Sequence, residues 1–271
     1  MVPAFPCLEL EGDPEQPPLL VLLGMPSSLA NARRLLERIA AGRRTLAISP
    51  TRSRDDSDPD AEPSSWPELV AWLVAELDAR GFDRVDVLGW SFGGAWALQA
   101  VAQRPERIAR AIVAAPTARF RARERGLLGL LQALLAAPVD DAVLHAGLLP
   151  MLFSPDFLHR PAAFALLRTH MSKLSASREQ WARQLDILLD HDVRAQLSSM
   201  HAVDLVIAGR DDWLFPASES RLLAAALPEA RLVELPAGHA LWFETEDQFV
   251  ELVRERLDAP RHRGAMHDER R

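Results

Sequence analysis

The 271-residue sequence lacks the features that mark secreted, membrane-spanning or nucleic-acid-binding proteins. Cys7 is the only cysteine, which excludes an internal disulfide and favours a reducing, cytoplasmic compartment. No apolar run approaches the roughly 18 residues of a membrane span, and the N-terminus lacks the basic start and long apolar core of a signal peptide. The net charge of −7 argues against nucleic-acid binding. The histidines are scattered, so we expect no metal site.

One motif of the sequence indicates a catalytic nucleophile. Residues 89–93 read Gly-Trp-Ser-Phe-Gly, and they lie between an apolar strand-like run and a helix-like stretch. Strand, Gly-x-Ser-x-Gly, then helix is the sequence form of a nucleophile elbow. Glycines at both ends allow a tight, strained turn, because side chains there would collide with the neighbouring strand and helix. The turn raises the Oγ of Ser91 above the sheet edge, so Ser91 is the predicted nucleophile.

A serine hydroxyl needs a general base, and the base needs an orienting acid. In hydrolases with this elbow, the acid and then the histidine follow the serine along the chain. Asp212 follows the strand-like run 203–208, and His239 follows the run 231–235. Both residues therefore lie just past the C-terminal end of a predicted strand, the edge at which open α/β sheets place their sites. The sequence predicts Asp212 as the acid and His239 as the base.

The pattern of apolar residues predicts an α/β fold with a doubly wound, mostly parallel sheet. Strand-like and helix-like stretches alternate from about residue 19 to 116, and strands resume at Val203. Between residues 119 and 200 only helical periodicity is visible, which indicates an all-helical cap inserted over the active site. The predicted organisation is a first core part (1–117), the helical cap (118–200), a second core part (201–257) and a disordered charged tail (258–271).

The chain resembles proteins of the α/β-hydrolase fold over about residues 17–257. The resemblance rests on the Trp before the elbow serine, the loop Gly-x-x-Asp-x-x-x-Pro around Asp212 and the Gly-His loop around His239. It is similar to the small serine carboxylesterases, such as the pimeloyl-carrier-protein methyl ester esterases. The family pattern places the acid three residues after the glycine and so selects Asp212, with Asp211 as the alternative.

The resemblance also implies an oxyanion hole made by the backbone N–H groups of Met25 and Phe92, if Gly24 matches the family glycine. The chain departs from the family here, because it has no His-Gly after the first central strand. Pro26 follows instead; it has no N–H to donate and restricts the backbone of Met25. Gly24 is also a predicted substrate contact, and two tryptophans are predicted to wall the pocket, namely Trp90 and Trp242.

These observations predict a serine hydrolase that cleaves a carboxylic ester or thioester through an acyl-enzyme and needs no cofactor. The apolar stretches 127–135 and 148–153 of the cap could line an acyl pocket. Arginines of the cap, among them Arg121, Arg123 and Arg125, could hold an acidic partner, which makes an acyl carrier protein a candidate partner. Two alternatives stay open: a carbon–carbon hydrolase or lyase with the same triad, and a ligand-binding member of the fold that has lost turnover.

Overall fold

Seven strands form one sheet in the structure, which is a computed structural model that describes residues 5–51, 63–161, 163, 167 and 177–260. The strands are β1 (Cys7–Leu10), β2 (Leu19–Leu22), β3 (Thr45–Ile48), β4 (Val85–Trp90), β5 (Ile108–Ala114), β6 (Val203–Gly209) and β7 (Arg231–Leu235). Their order in the sheet is β1-β3-β2-β4-β5-β6-β7. All neighbouring strands are parallel except β1 and β3. The predicted doubly wound, mostly parallel sheet is therefore confirmed.

Burial explains which strands the sequence predicts well. Every residue of β2, β3, β4 and β6 is buried, and strands covered on both faces read as continuous apolar runs. Strand β1 was not predicted. It pairs antiparallel at the sheet edge, with Cys7 opposite Ile48 and Leu10 opposite Thr45, and its residues are half-buried or exposed. An edge strand with half-buried and exposed residues lacks the long apolar run that predicts a buried strand.

The helices cover both faces of the sheet and fill the region between β5 and β6. They are α1 (Leu29–Ala40), α2 (Trp66–Ala79), α3 (Phe92–Gln103), α4 (Ala122–Ala136), α5 (Asp141–Leu152), α6 (Pro155–Leu158), α7 (Arg178–Leu189), α8 (Ala217–Ala226), α9 (Leu241–Glu244) and α10 (Glu246–Asp258). Helices α1 and α10 pack on one face, and α2, α3 and α8 pack on the other. Within the described ranges, no helix is long and apolar enough to cross a membrane.

Helices α4 to α7 are the elements described between β5 and β6, and we call them the helical insertion. Local capping fixes where they begin. The Glu124 side chain accepts from the backbone N–H of Arg121 at the start of α4, and Asp140 caps α5. Ser177 and Gln180 form a reciprocal capping box at the start of α7. These caps satisfy backbone donors that have no partner inside the helices.

The end of the last helix is attached to the body of the protein by two buried arginines. Arg110 of β5 is 3.0 Å from the carboxylate of Asp204 in β6, and it also donates to the carbonyl of Ala259 at 2.8 Å. Asp258, at the end of α10, pairs with Arg43 at 2.7 Å. Asp258 thus belongs to the helix, although it was predicted as the first residue of the tail. Residues 261–271 of that predicted tail lie outside the described residues.

A buried histidine joins α3 to the end of the helical insertion. His191 has no exposed surface. Its Nε2 is 2.9 Å from the carbonyl oxygen of Thr117, and its Nδ1 is 3.2 Å from the Nε2 of Gln99. The ring also meets Trp66 at a centroid distance of 5.5 Å. Burial lowers the pKa of His191 from 6.5 to about 4, against a smaller opposing contribution from the Thr117 carbonyl.

This burial predicts an acid-sensitive fold. The unfolded chain binds a proton on His191 below pH 6.5, whereas the folded chain binds it only near pH 4. The free energy of unfolding should therefore fall as the pH drops through this window, by up to about 3 kcal/mol from this residue. Urea unfolding of the wild type and His191→Gln between pH 7.5 and 4 measures it. The wild type should lose more stability than the variant, and equal losses would contradict the assignment.

Candidate active site

Ser91 lies in the sharp turn between β4 and α3. Its backbone has φ 54° and ψ −121°, in the left-handed half of conformational space that non-glycine residues rarely adopt. A Cβ on Gly89 would come within 2.2 Å of the Gly93 oxygen, and one on Gly93 within 2.0 Å of the Leu22 oxygen. Only glycines fit at these two positions. The Ser91 N–H donates to the Ala114 oxygen at 3.0 Å, which joins the turn to β5.

The three predicted catalytic side chains form one hydrogen-bonded chain. The Oγ of Ser91 is 2.8 Å from the Nε2 of His239, and the Nδ1 of His239 is 2.8 Å from the Oδ2 of Asp212. All three residues are buried, with relative exposures of 7%, 2% and 6% for Ser91, His239 and Asp212. With the Nδ1–H of His239 donating to the carboxylate, its Nε2 is left to accept the proton of the serine hydroxyl.

The loop after β6 distinguishes the two candidate acids. The Oδ1 of Asp212 accepts from the backbone N–H groups of Leu214 (2.9 Å) and Phe215 (2.8 Å), so both carboxylate oxygens have partners. Asp211 is exposed, and its N–H donates to the Ala237 oxygen at 3.0 Å. Only Asp212 of this pair contacts His239.

The acid loop and the histidine loop pack closely against each other. A Cβ on Gly209 would come within 2.1 Å of the Gly238 oxygen, so the backbones meet where β6 ends. The ring of Phe215 meets the ring of His239 edge-on, with centroids 4.8 Å apart and an interplanar angle of 84°. The imidazole is thereby fixed by a hydrogen bond on one side and by an aromatic contact on another.

Glu244 is a buried residue of the site that the sequence did not single out. Its carboxylate accepts from the N–H of Gly238 at 2.8 Å and from the N–H of Ser154 at 3.0 Å, and it also bonds the Ser154 hydroxyl. Burial raises the pKa of Glu244, although these hydrogen bonds act in the opposite direction. The only sequence signal is a carboxylate five residues after His239 in an otherwise apolar stretch.

The predicted oxyanion donors flank Ser91. Phe92 is the first residue of α3, and Gly24 lies so near that a Cβ on it would approach the Ser91 Cβ to 3.0 Å. The Met25–Pro26 peptide bond is cis, and both of these residues line the pocket above Ser91. Neither the N–H of Met25 nor that of Phe92 meets an acceptor within the described part of the chain.

An apolar pocket of about 660 Å³, counting its open mouth, extends from Ser91 and His239 into the helical insertion. Its other lining residues are Met25, Pro26, Leu127, Leu128, Leu131, Leu148, Met151, Leu152, Trp181, Leu185, Leu188, Leu214 and Phe215. Among the lining residues that the structure describes, none is a lysine, an arginine, an aspartate or a glutamate. Both predicted apolar stretches contribute to it, through α4 and α5.

The three predicted substrate contacts lie outside this lining. Trp90 is 1% exposed and packs between Trp242 and Phe249, at centroid distances of 5.4 and 6.4 Å. Trp242 also meets the ring of His239 at 6.0 Å. The structure thus gives Trp90 a packing role beneath the site, where a pocket wall was expected. Gly24 contacts Ser91 and Trp90 and does not reach the pocket surface.

Several arginines that were considered for an acidic partner bind inside the molecule. Arg123 donates to the Trp213 oxygen at 2.6 Å, and Arg125 donates to the Leu189 oxygen at 2.9 Å. Arg121 pairs with Glu219 at 3.2 Å. These contacts attach the start of α4 to the acid loop, to α8 and to the end of α7. Across the residues that the structure describes, no group of His, Cys, Asp or Glu could hold a metal ion.

Sheet, elbow and pocket together are those of a hydrolase with an α/β fold. A family model described as the alpha/beta hydrolase family matches residues 20–252. The chain therefore belongs to the alpha/beta hydrolase family.

Relatives with known names agree with this membership. The poly(3-hydroxyalkanoate) depolymerase of Ectopseudomonas oleovorans is 27% identical over 94% of this chain and 89% of its own. The pimeloyl-[acyl-carrier protein] methyl ester esterase of Nitrosomonas europaea is 28% identical over 62% of this chain and 69% of its own. A crystal structure of a hydrolase from Pseudomonas aeruginosa PA01 has a TM-score of 0.81 and 28% identity, and the match covers 93% and 94% of the two chains.

Proposed function

We propose that this hydrolase cleaves a carboxylic ester or thioester through a Ser-His-Asp triad and an acyl-enzyme. The observation that carries the proposal is the hydrogen-bonded chain from Ser91 through His239 to Asp212, at the end of an apolar pocket. Each link is 2.8 Å long, so Ser91 is within hydrogen-bond reach of the base and the base is within reach of the orienting carboxylate.

In the proposed first step, the Oγ of Ser91 attacks the substrate carbonyl carbon while the Nε2 of His239 takes the hydroxyl proton. Asp212 stabilises the imidazolium through the Nδ1–H. The negative oxygen of the tetrahedral intermediate accepts from the N–H groups of Met25 and Phe92. The bond to the leaving alcohol or thiol then breaks, and that group departs with the proton from His239.

In the second step, His239 takes a proton from water, whose oxygen attacks the acyl carbon. The new tetrahedral intermediate collapses, the bond to Ser91 breaks, and the Oγ regains a proton from His239. The products are a carboxylic acid and the free enzyme. Every proton is carried by His239, so the proposed reaction needs no cofactor.

The pocket favours an apolar acyl group. Apart from Ser91 and His239, its lining is made of leucine, methionine, proline, phenylalanine and tryptophan side chains. The described part of the lining offers no lysine or arginine that could pair with a second carboxylate on the substrate. We propose that the helical insertion acts as a cap over this pocket, between core parts at 1–117 and 201–257, and that it selects the acyl group.

One of the relatives is named as a methyl ester esterase, which supports an ester as the substrate. A carrier protein as the source of the acyl group stays a candidate, although three of the arginines considered for it are bound within the molecule. Two alternatives remain: a carbon–carbon hydrolase or lyase that uses the same triad, and a ligand-binding member of the fold that has lost turnover. The cytoplasmic location stays a prediction from the single cysteine.

Hydrolysis of p-nitrophenyl esters of increasing acyl length tests the substrate class. We expect kcat/KM to rise by about fourfold for each added methylene that the pocket buries, which is the rate equivalent of about 0.8 kcal/mol. The rise should stop when the pocket is full. Leu148→Trp, which narrows the pocket, should shift the optimum to shorter chains. A folded protein that cleaves none of these esters would favour the carbon–carbon or ligand-binding alternatives.

A further inference from the structure

Residues on both sides of His239 are hydrogen-bonded to one short segment of the helical insertion. The N–H of Ala240, which follows His239, donates to the Leu152 oxygen at 2.8 Å. The N–H of Gly238, which precedes it, donates to the Glu244 carboxylate at 2.8 Å, and the same oxygen accepts from the N–H of Ser154 at 3.0 Å. The backbone that carries the imidazole is thus held from both sides by residues 152–154.

Glu244 connects segment 152–154 to the histidine loop, and it is tightly packed. The residue is 8% exposed, and its second carboxylate oxygen accepts from the Ser154 hydroxyl. A Cβ on Gly238 would lie 2.7 Å from backbone atoms of Phe153 and Ser154, and 3.0 Å from Glu244 itself. Segment 152–154 and the histidine loop are therefore in direct contact. The Glu244 carboxylate accepts from the N–H of Gly238 in the loop and from the N–H of Ser154 in the segment.

The same segment belongs to the wall of the pocket. Met151 and Leu152 line it, and Leu152 is also the residue whose carbonyl binds the N–H after His239. Leu152 thus lines the pocket and also binds the backbone next to His239, the proposed general base.

We propose that Glu244 is a positioning residue, which couples segment 152–154 of the insertion to His239 and keeps its Nε2 within reach of Ser91. The inference rests on the proposed function of the triad. Glu244 itself takes no part in proton transfer, because its carboxylate is bonded to the backbone of Gly238 and to Ser154. Its effect is carried by the geometry of the histidine loop.

Kinetics of Glu244→Ala and Glu244→Gln test this role. The alanine variant leaves three donors without an acceptor, and a displacement of the base by about 1 Å costs about 10²-fold in rate. We expect kcat to fall by about that factor while KM stays within about threefold. The glutamine oxygen can accept from both N–H groups, and its NH₂ can donate to the Ser154 hydroxyl. Glutamine should therefore keep kcat within about fivefold of the wild type.

Two results would overturn the proposal. One is an alanine variant with the kcat of the wild type, and the other is a glutamine variant that loses as much as alanine does. Circular dichroism and urea unfolding show whether each variant is folded. If Glu244→Ala does not fold, Ser154→Ala replaces it. That change keeps the N–H of Ser154 on Glu244 and removes the hydroxyl, which donates to Glu244 and accepts from the N–H of Phe157. It should lower kcat about three- to tenfold at unchanged KM, and an unchanged kcat would count against the coupling.

A measurement without substrate separates this proposal from the proposed function. The Nδ1 proton between His239 and Asp212 is strongly hydrogen-bonded, and it can be followed by proton NMR. We expect its resonance to shift or broaden in Glu244→Ala and to be retained in Glu244→Gln. A wild type that is inert on all esters, with this NMR response intact, would overturn the proposed function alone. An identical resonance in all three proteins would overturn the positioning role.

Discussion

Ser91→Ala is expected to lower kcat/KM for ester hydrolysis by about 10⁶-fold. Removal of the hydroxyl leaves the substrate carbonyl without a nucleophile, and His239 is left without the proton that it would take. The side chain is only 7% exposed, in a turn that is fixed by neighbouring backbone. The alanine variant should therefore keep its fold, and it should bind an ester substrate without cleaving it.

The experiment pairs Ser91→Ala with Ser218→Ala, an exposed serine at the start of α8. The second variant should retain full activity. A fluorophosphonate probe should add its mass to the peptide that contains Ser91 in the wild type and in Ser218→Ala only. Hydrolysis that survives in a purified Ser91→Ala protein would show that another group attacks the ester.

Asp212→Asn is expected to lower kcat by about 10⁴-fold. An amide in this place can donate its N–H to the Nδ1 of His239, which then carries its proton on Nε2. In that tautomer the histidine cannot accept the proton of Ser91. The two backbone bonds from Leu214 and Phe215 to Oδ1 can persist, so the loop should keep its shape.

Asp211→Asn is the matched control, because it makes the same chemical change one residue earlier. Asp211 is exposed, and only its backbone N–H binds the histidine loop. Its activity should stay within about twofold of the wild type. The opposite ranking of the two variants would assign the acid to Asp211 and would require a different arrangement of the loop after β6.

Much of the site could be predicted from the sequence because its parts follow from local rules. Ser91 lies in a strand-turn-helix motif whose glycines are required by contacts of 2.0–2.2 Å. Asp212 and His239 each follow a strand, and parallel strands bring their C-terminal ends to one edge of the sheet. Three separate predictions of this kind place the residues near one another without any knowledge of the tertiary contacts.

The remainder depends on contacts between distant segments. Glu244 has a role only because Ser154, 90 residues earlier, lies against it. Because it lies beside Ser91 in the sequence, Trp90 was predicted to line the pocket. Side chains alternate between the two faces along β4, and Trp90 packs on the face that α1 and α10 cover. Stretch 148–153 was predicted as pocket lining, but helix α5 is apolar on most of its surface, so the pattern could not indicate which of its residues face the pocket.

The bonds between the helical insertion and the histidine loop also restrict how this enzyme can be re-engineered. The insertion lies between Ser91 and Asp212 in the chain, so a foreign one could be spliced in without altering any triad residue. The graft would nevertheless have to bring a carbonyl for the N–H of Ala240 and a hydroxyl and an N–H for Glu244. Chimeras that preserve these three groups can exchange acyl selectivity, whereas those that omit them also change the alignment of the base.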